Sequence, residues 1–135
     1  MKYFKHILFD LDGTLTDPGV GITRSIQYAL AKYGKTEETR ALYKCIGPPL
    51  RESFCSFFGF TEEQAEEAVS YYREYFSERG IFENEVYEGI PELLADLKSD
   101  NRKIYLATTK PVIYAEKILH HFNIHDFFTA VSGSN

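Results

Sequence analysis

Cysteine is scarce in this sequence, and its placement excludes two kinds of small fold. Cys45 and Cys55 lie ten positions apart, without CxxC spacing and without histidines at the distance of a zinc finger. We therefore expect neither a disulfide framework nor a structural metal site. His120, His121 and His125 lie near the end of an amphipathic segment without a converging acid, so we expect no zinc site there either.

Long apolar runs and an excess of positive charge are also missing. Near the N-terminus, Asp10 interrupts the apolar run of MKYFKHILFD well before a signal peptide or the about 20 residues of a membrane span could form. The formal net charge is -5, and a negative field repels nucleic acid. We expect a cytoplasmic monomer that binds no membrane and no nucleic acid.

What the sequence does contain is a short apolar run that ends in carboxylates, ILFDLDGTLTD at residues 7–17. The run predicts a buried strand, and the following Asp-Gly pair predicts the end of that strand. Ligands of open parallel sheets bind beyond the carboxyl ends of the strands, so Asp10 and Asp12 are expected at a ligand site. One carboxylate can attack phosphorus while the other exchanges protons.

A carboxylate that approaches a phosphate is repelled unless a cation compensates the charge. Mg²⁺ is a hard cation that accepts one or two carboxylates together with phosphate and water. Asp10 and Asp12 are therefore candidate Mg²⁺ ligands.

Two other interpretations of the DxDG pattern compete with this one. An EF-hand loop also begins in this way, but it requires an oxygen ligand, a glycine and a glutamate at the positions that Thr14, Leu15 and Gly21 occupy here. Of these three requirements only the first is met, weakly, by Thr14. A plain turn with solvated acids is the second alternative.

The chain carries a helical insert within a β/α pattern. From Pro18 to Asn84 no segment alternates with period two, residues 50–59 are amphipathic, and Thr61 with Gln64 forms a capping box. The pattern then predicts helices that begin at Pro91 and Pro111, with strands at 102–109 and 127–132.

The predicted fold is α/β, a three-layer Rossmann-like parallel sheet with an inserted all-helical cap domain. Its core comprises residues 1–17 and 85–135, and its cap comprises residues 18–84. We expect hinges at Thr16–Gly19 and Glu83–Gly89.

The stretch DLDGTLTD resembles the DxDGT signature of the haloacid dehalogenase superfamily, and the insert resembles the cap of its phosphoglycolate phosphatase-like members. The resemblance implies that Asp10 is a nucleophile that becomes an aspartyl phosphate and that Asp12 is the general acid and base. Gly13 and Thr14 complete the motif and are candidate phosphate-binding residues. Dehalogenases of the superfamily lack the second aspartate, so Asp12 indicates phosphoryl transfer.

The run LATTKP is similar to the TNKP or TSKP runs of phosphoglycolate phosphatases. Thr108 stands where that family places a phosphate-binding hydroxyl, and the amides of the next helix N-terminus would assist it. Thr109 replaces the usual Asn or Ser, and Lys110 adds positive charge. A β-branched pair that closes a strand, with a solvated lysine beside it, is the alternative.

Within the insert, IGPPLRESF is similar to the loop that dips over the active site in these phosphatases. Arg51 is thus a candidate contact for a substrate anion. An ordinary helix connector with a surface arginine is the alternative.

The resemblance also implies a lysine and acidic metal ligands after the third strand, and the sequence does not supply them. Lys117 lies within a predicted helix, and Asp126 precedes the last strand. We therefore expect a fragment with little activity by itself. The expected function is a Mg²⁺-dependent phosphatase acting on a small phosphorylated metabolite, phosphoglycolate-like or nucleotide-like. A sugar-phosphate mutase and a non-catalytic binding module are the alternatives.

Overall fold

The structure is a computed structural model that describes residues 3–135. The chain divides into two compact units, one formed by the segments up to Pro18 and from Glu85, the other by Gly19–Asn84. In chain order the main elements are β1 (His6–Phe9), β2 (Thr16–Asp17), α1 (Gly19–Ala31), α2 (Leu50–Phe58), α3 (Glu62–Glu78), β3 (Glu85–Val86), α4 (Ile90–Ser99), β4 (Lys103–Pro111), α5 (Val112–His121) and β5 (Phe128–Ser134). Short 3-10 helices span Thr39–Cys45, Gly80–Phe82 and His125–Phe127.

A three-stranded parallel sheet in the order β1-β4-β5 is the centre of the first unit. Helices α4 and α5 connect the strands and pack against β4. Ile104 and Leu106 on the covered face are each 1% exposed, and the helices that contact β4 contribute the buried residues Leu94, Ala115, Ile118 and Leu119. This arrangement is the predicted α/β fold, with the ends of β1 and β4 at the same edge of the sheet.

The opposite face of the sheet is open in residues 3–135. Leu8 lies on this face and is 67% exposed. A shallow apolar depression of about 330 Å³ is lined here by residues that include His6, Leu8, Tyr105, Ala107, Ala130 and Ser132. Of the three predicted layers, the described residues therefore form the sheet and the helical layer on its covered face.

Strands β2 and β3 pair with each other in an antiparallel ribbon, in which Thr16 faces Val86 and Asp17 faces Glu85. Tyr87 N donates to Leu15 O at 3.1 Å beside the ribbon. These residues fall within or beside the two predicted hinge segments, Thr16–Gly19 and Glu83–Gly89. Part of each hinge segment is therefore held by strand pairing, which the sequence pattern did not indicate. The mobility of the two hinge segments stays a prediction.

The second unit is helical from Gly19 to Phe82, with α3 packed against both α1 and α2. The predicted capping box at the start of α3 is present: Gln64 N donates to Thr61 Oγ1 at 3.2 Å, and Thr61 N donates to Gln64 Oε1 at 3.0 Å. Aromatic rings fill the interior, and those of Phe54 and Phe60 stack at 5.6 Å.

The described residues include no helix that is both long and apolar enough to cross a membrane.

Candidate active site

The turn after β1 is built around the backbone of Leu11. Its carbonyl oxygen accepts hydrogen bonds from the amides of Thr14, Leu15 and Thr16 at 3.1, 2.9 and 3.2 Å, and its side chain is 0% exposed. Gly13 has a φ of +79°, a conformation that glycine adopts at little steric cost. The buried Leu11 anchors the turn, and the carboxylates on either side of it are thereby placed at the end of β1.

Asp10 lies on the exposed side of this turn, and its Oδ1 accepts a hydrogen bond from Leu11 N at 2.7 Å. This contact holds one carboxylate oxygen against the backbone. The exposure of the residue allows a ligand to approach it.

Asp12 is half-buried and forms an ion pair with Lys110. Lys110 Nζ lies 3.2 Å from Asp12 Oδ2, and the two side chains are 10% and 35% exposed, respectively. Asp12 Oδ1 is buried and has no hydrogen-bond partner among the described residues. The ion pair joins the turn after β1 to the end of β4, and the second carboxylate oxygen retains its capacity to accept a proton or bind a cation.

The predicted phosphate-binding residues lie in the last part of β4, which extends through Pro111 rather than ending at residue 109. Thr108 is half-buried, and its Oγ1 accepts a hydrogen bond from Lys110 N at 3.1 Å, which leaves the hydroxyl proton able to donate elsewhere. Thr109 and Thr14 are exposed. Helix α5 begins directly after this segment, with Pro111 at its N-cap position.

Arg51 belongs to the second unit, where acidic side chains engage it. Its Nη2 lies 3.2 Å from Glu62 Oε2 and 3.6 Å from Glu66 Oε1. The arginine lines a groove of about 560 Å³ together with Pro49, Glu52, Cys55, Ser56 and Glu62. An anion that bound Arg51 would have to compete with these carboxylates, an interaction that the sequence prediction did not include.

His120, in the last turn of α5, stacks on His125, the first residue of the following 3-10 helix, with ring centroids 3.8 Å apart. Among residues 3–135 no group of three or more His, Cys, Asp or Glu side chains is arranged to hold a metal ion.

A residue that the sequence prediction missed is Gly133 in β5, which lies next to the backbone of Lys110. A glycine inside a strand pattern is a known signal of a bulge or of close backbone approach, and the run VSGSN carries that signal.

Comparison with known proteins identifies the family. The family model for haloacid dehalogenase-like hydrolases matches residues 7–135. The chain belongs to this family. A 5'-nucleotidase of Pseudomonas aeruginosa is 50% identical over 132 residues, which cover 97% of this haloacid dehalogenase-like chain and 60% of the relative.

Two further relatives show how the family members vary. A crystal structure of a candidate phosphatase from Clostridium difficile superposes with a TM-score of 0.97 at 47% identity, over 100% of this chain and 63% of that one. The tyrosine-protein kinase PtkA of Mycobacterium tuberculosis is 38% identical over 130 residues, 96% of this chain and 44% of the kinase. This haloacid dehalogenase-like chain thus spans less than two thirds of the length of these relatives.

Proposed function

We propose that the protein of which this chain forms the core and insert is a Mg²⁺-dependent phosphatase that hydrolyses a nucleoside 5'-monophosphate. The observation that carries the proposal is the ion pair between Lys110 Nζ and Asp12 Oδ2 at 3.2 Å. This pair brings the DxDGT turn and the end of β4 together at one edge of the sheet, where ligands of parallel sheets bind.

In the proposed reaction Asp10 is the nucleophile. A carboxylate oxygen of Asp10 forms a bond to phosphorus, and the bond from phosphorus to the ester oxygen breaks. Asp12 in its protonated form gives its proton to the departing ester oxygen. As a carboxylate it then takes a proton from the water that attacks the phosphorus of the aspartyl phosphate, which releases phosphate and restores Asp10. The exposure of Asp10 supports its role as the nucleophile.

The end of β4 is assigned to binding of the phosphoryl group. Thr108 has a hydroxyl proton available for a phosphoryl oxygen, and the amides at the start of α5 favour negative charge because they have no intrahelical acceptors. Lys110 supplies positive charge beside the carboxylates. Thr109, Gly13 and Thr14 are assigned to the rim of the same site.

The carboxylates present also suit a magnesium ion. Asp10 and Asp12 provide hard oxygen donors, and the buried, unpartnered Oδ1 of Asp12 is the kind of atom that a cation would satisfy. When bound, Mg²⁺ compensates the negative charge of carboxylate and phosphate. The remaining ligands would come from phosphate and from water.

Sequence similarity supports the choice of a nucleotide over phosphoglycolate, since the 5'-nucleotidase is 50% identical over 97% of this chain. The segment 19–84 is assigned the role of the helical cap of these phosphatases. Two free cysteines, Cys45 and Cys55, agree with a reducing cytoplasmic location.

The proposal is tested by measuring phosphate release from nucleoside 5'-monophosphates, phosphoglycolate and an aryl phosphate, with and without Mg²⁺, using the complete reading frame that contains this chain. We expect Asp10→Asn to abolish turnover and Asp96→Asn, an exposed change on α4, to leave it unchanged. Full turnover by Asp10→Asn would contradict the proposed nucleophile. A preference for phosphoglycolate would contradict the nucleotide assignment, and phosphoryl transfer to a sugar hydroxyl or to tyrosine would contradict hydrolysis.

A further inference from the structure

The pairing of β4 with β5 is irregular beside the candidate site. Ala107 pairs with Ser132 and Pro111 pairs with Ser134, and the register shifts between these two pairs. Between them β4 contains Thr108, Thr109 and Lys110, whereas β5 contains Gly133 alone. Three residues of β4 therefore lie opposite one residue of β5, and the extra residues of β4 form a bulge. Bulges redirect side chains and are common next to active sites.

Gly133 is the residue around which this bulge folds. A Cβ atom at this position would lie 2.5 Å from Lys110 O, 2.9 Å from Val112 N and 3.0 Å from Val112 Cα. All three neighbours are backbone atoms, so a side-chain rotation cannot relieve the contact. The backbone of 110–112 can approach β5 this closely only because residue 133 has no side chain.

We propose that Gly133 is a positioning residue for phosphate binding. It acts through the bulge of β4, which it allows to fold so that Lys110 reaches Asp12. The inference rests on the proposed function, because it assigns Gly133 a part in the same site. Gly133 itself touches no reacting atom in this assignment.

The size of the expected effect follows from the contact distances. An ordinary contact of a Cβ atom is about 3.4 Å or longer, so Gly133→Ala must move Lys110 O away by roughly 1 Å. A misplacement of this size in a preorganised site can lower the reaction rate by up to about a hundredfold. We expect the affinity for inorganic phosphate to fall by about tenfold or more.

The first test uses the complete reading frame that contains this chain, and compares the wild-type protein with Gly133→Ala and with Ser132→Ala, a control on the same strand. Titration with inorganic phosphate in the presence of Mg²⁺, followed through the amide resonances of Lys110 and Val112, reports binding. The ¹³Cγ chemical shift of Asp12 reports its ion pair without any ligand, and Lys110→Met provides the reference for a broken pair. In Gly133→Ala the Asp12 signal should move toward that reference, whereas in Ser132→Ala it should stay at the wild-type position.

A second variant tests the same inference without adding a side chain. Deletion of Thr109 shortens the bulge by one residue and should also shift the Asp12 signal toward the Lys110→Met reference, whereas Thr109→Ala keeps the length and should not. If Gly133→Ala does not fold, the comparison of the Thr109 deletion with Thr109→Ala still tests whether the bulge positions Lys110 against Asp12.

The outcomes separate the two proposals. An unchanged Asp12 signal in folded Gly133→Ala, or in the Thr109 deletion, would overturn the positioning role whatever the phosphate titration shows. Conversely, a shifted Asp12 signal with no phosphate binding by the wild-type protein would show that Gly133 positions Lys110 against Asp12, and would contradict both its role in phosphate binding and the proposed function.

Discussion

The ion pair between Asp12 and Lys110 allows a quantitative prediction. At the observed 3.2 Å separation, Coulomb attraction amounts to about 5 kcal/mol at an effective dielectric constant of about 20 and about 1 kcal/mol in bulk water. Lys110 is only 10% exposed, which favours the larger value, but Asp12 is 35% exposed and the desolvation of both charges opposes the attraction. We expect a coupling free energy of about 1–3 kcal/mol.

A double-mutant cycle measures this coupling. Asp12→Asn, Lys110→Met and the double variant are unfolded in urea at pH 7, with the amide resonances of β4 as the probe of the first unit. Lys103→Met, an exposed change on the same strand, is the control and should alter the free energy of unfolding by about 0.5 kcal/mol or less.

The dependence on salt provides an independent check of the same pair. Because Lys110 is largely buried, raising the ionic strength from about 0.05 M to about 0.5 M should reduce the coupling only slightly. A coupling below about 0.3 kcal/mol, or one that disappears in salt, would refute the reasoning that the pair holds the two strand ends together.

Three further predictions concern other parts of the molecule. Thr61→Ala removes the acceptor of the capping box and should destabilise the second unit by about 1 kcal/mol, as measured by urea unfolding, with the exposed Ser70→Ala on α3 as control. Burial raises the pKa of Glu83, but hydrogen bonds from Tyr75 and Arg24 and the charge of Arg24 outweigh this effect and lower the pKa below 4.5. The ionised Glu83 therefore stabilises the fold above the ordinary pKa of a glutamate, and the Glu83→Gln variant should have a lower free energy of unfolding than the wild type at pH 6. This difference should disappear as the pH falls through the lowered pKa. The 135-residue chain alone should release phosphate from an aryl phosphate at least about a hundredfold more slowly than the complete reading frame, and equal rates would show that the residues described here suffice.

The parts of the fold that could be predicted depend on local patterns. The apolar run before Asp10 indicated the position of β1, and the pair Thr61 and Gln64 indicated the start of α3, because both signals involve residues close together in the chain. The predicted burial of β1 was wrong for the described residues: its side chains are exposed or half-buried, because one face of the sheet is open in residues 3–135. The position of Asp10 and Asp12 at a strand end followed from the same reasoning.

The parts that could not be predicted depend on contacts between distant segments. The pairing of Arg51 with Glu62 and Glu66 requires the actual packing of α2 against α3. The bulge opposite Gly133 requires the register between β4 and β5, which residue periodicity alone does not determine. The extent of β4 through Pro111 follows from that register, and the sequence pattern placed its end two residues earlier.

The antiparallel ribbon of β2 and β3 has a consequence for how this protein could be rebuilt. Asp17 and Glu85 face each other, and paired strands lie about 5 Å apart, so the chain leaves the parallel-sheet unit and returns to it at nearly the same point. The entropy of closing such an excursion grows only with the logarithm of its length. Residues 18–84 are therefore exchangeable in principle for a two-residue hairpin turn or for a foreign domain, while β1 and β4 keep their register.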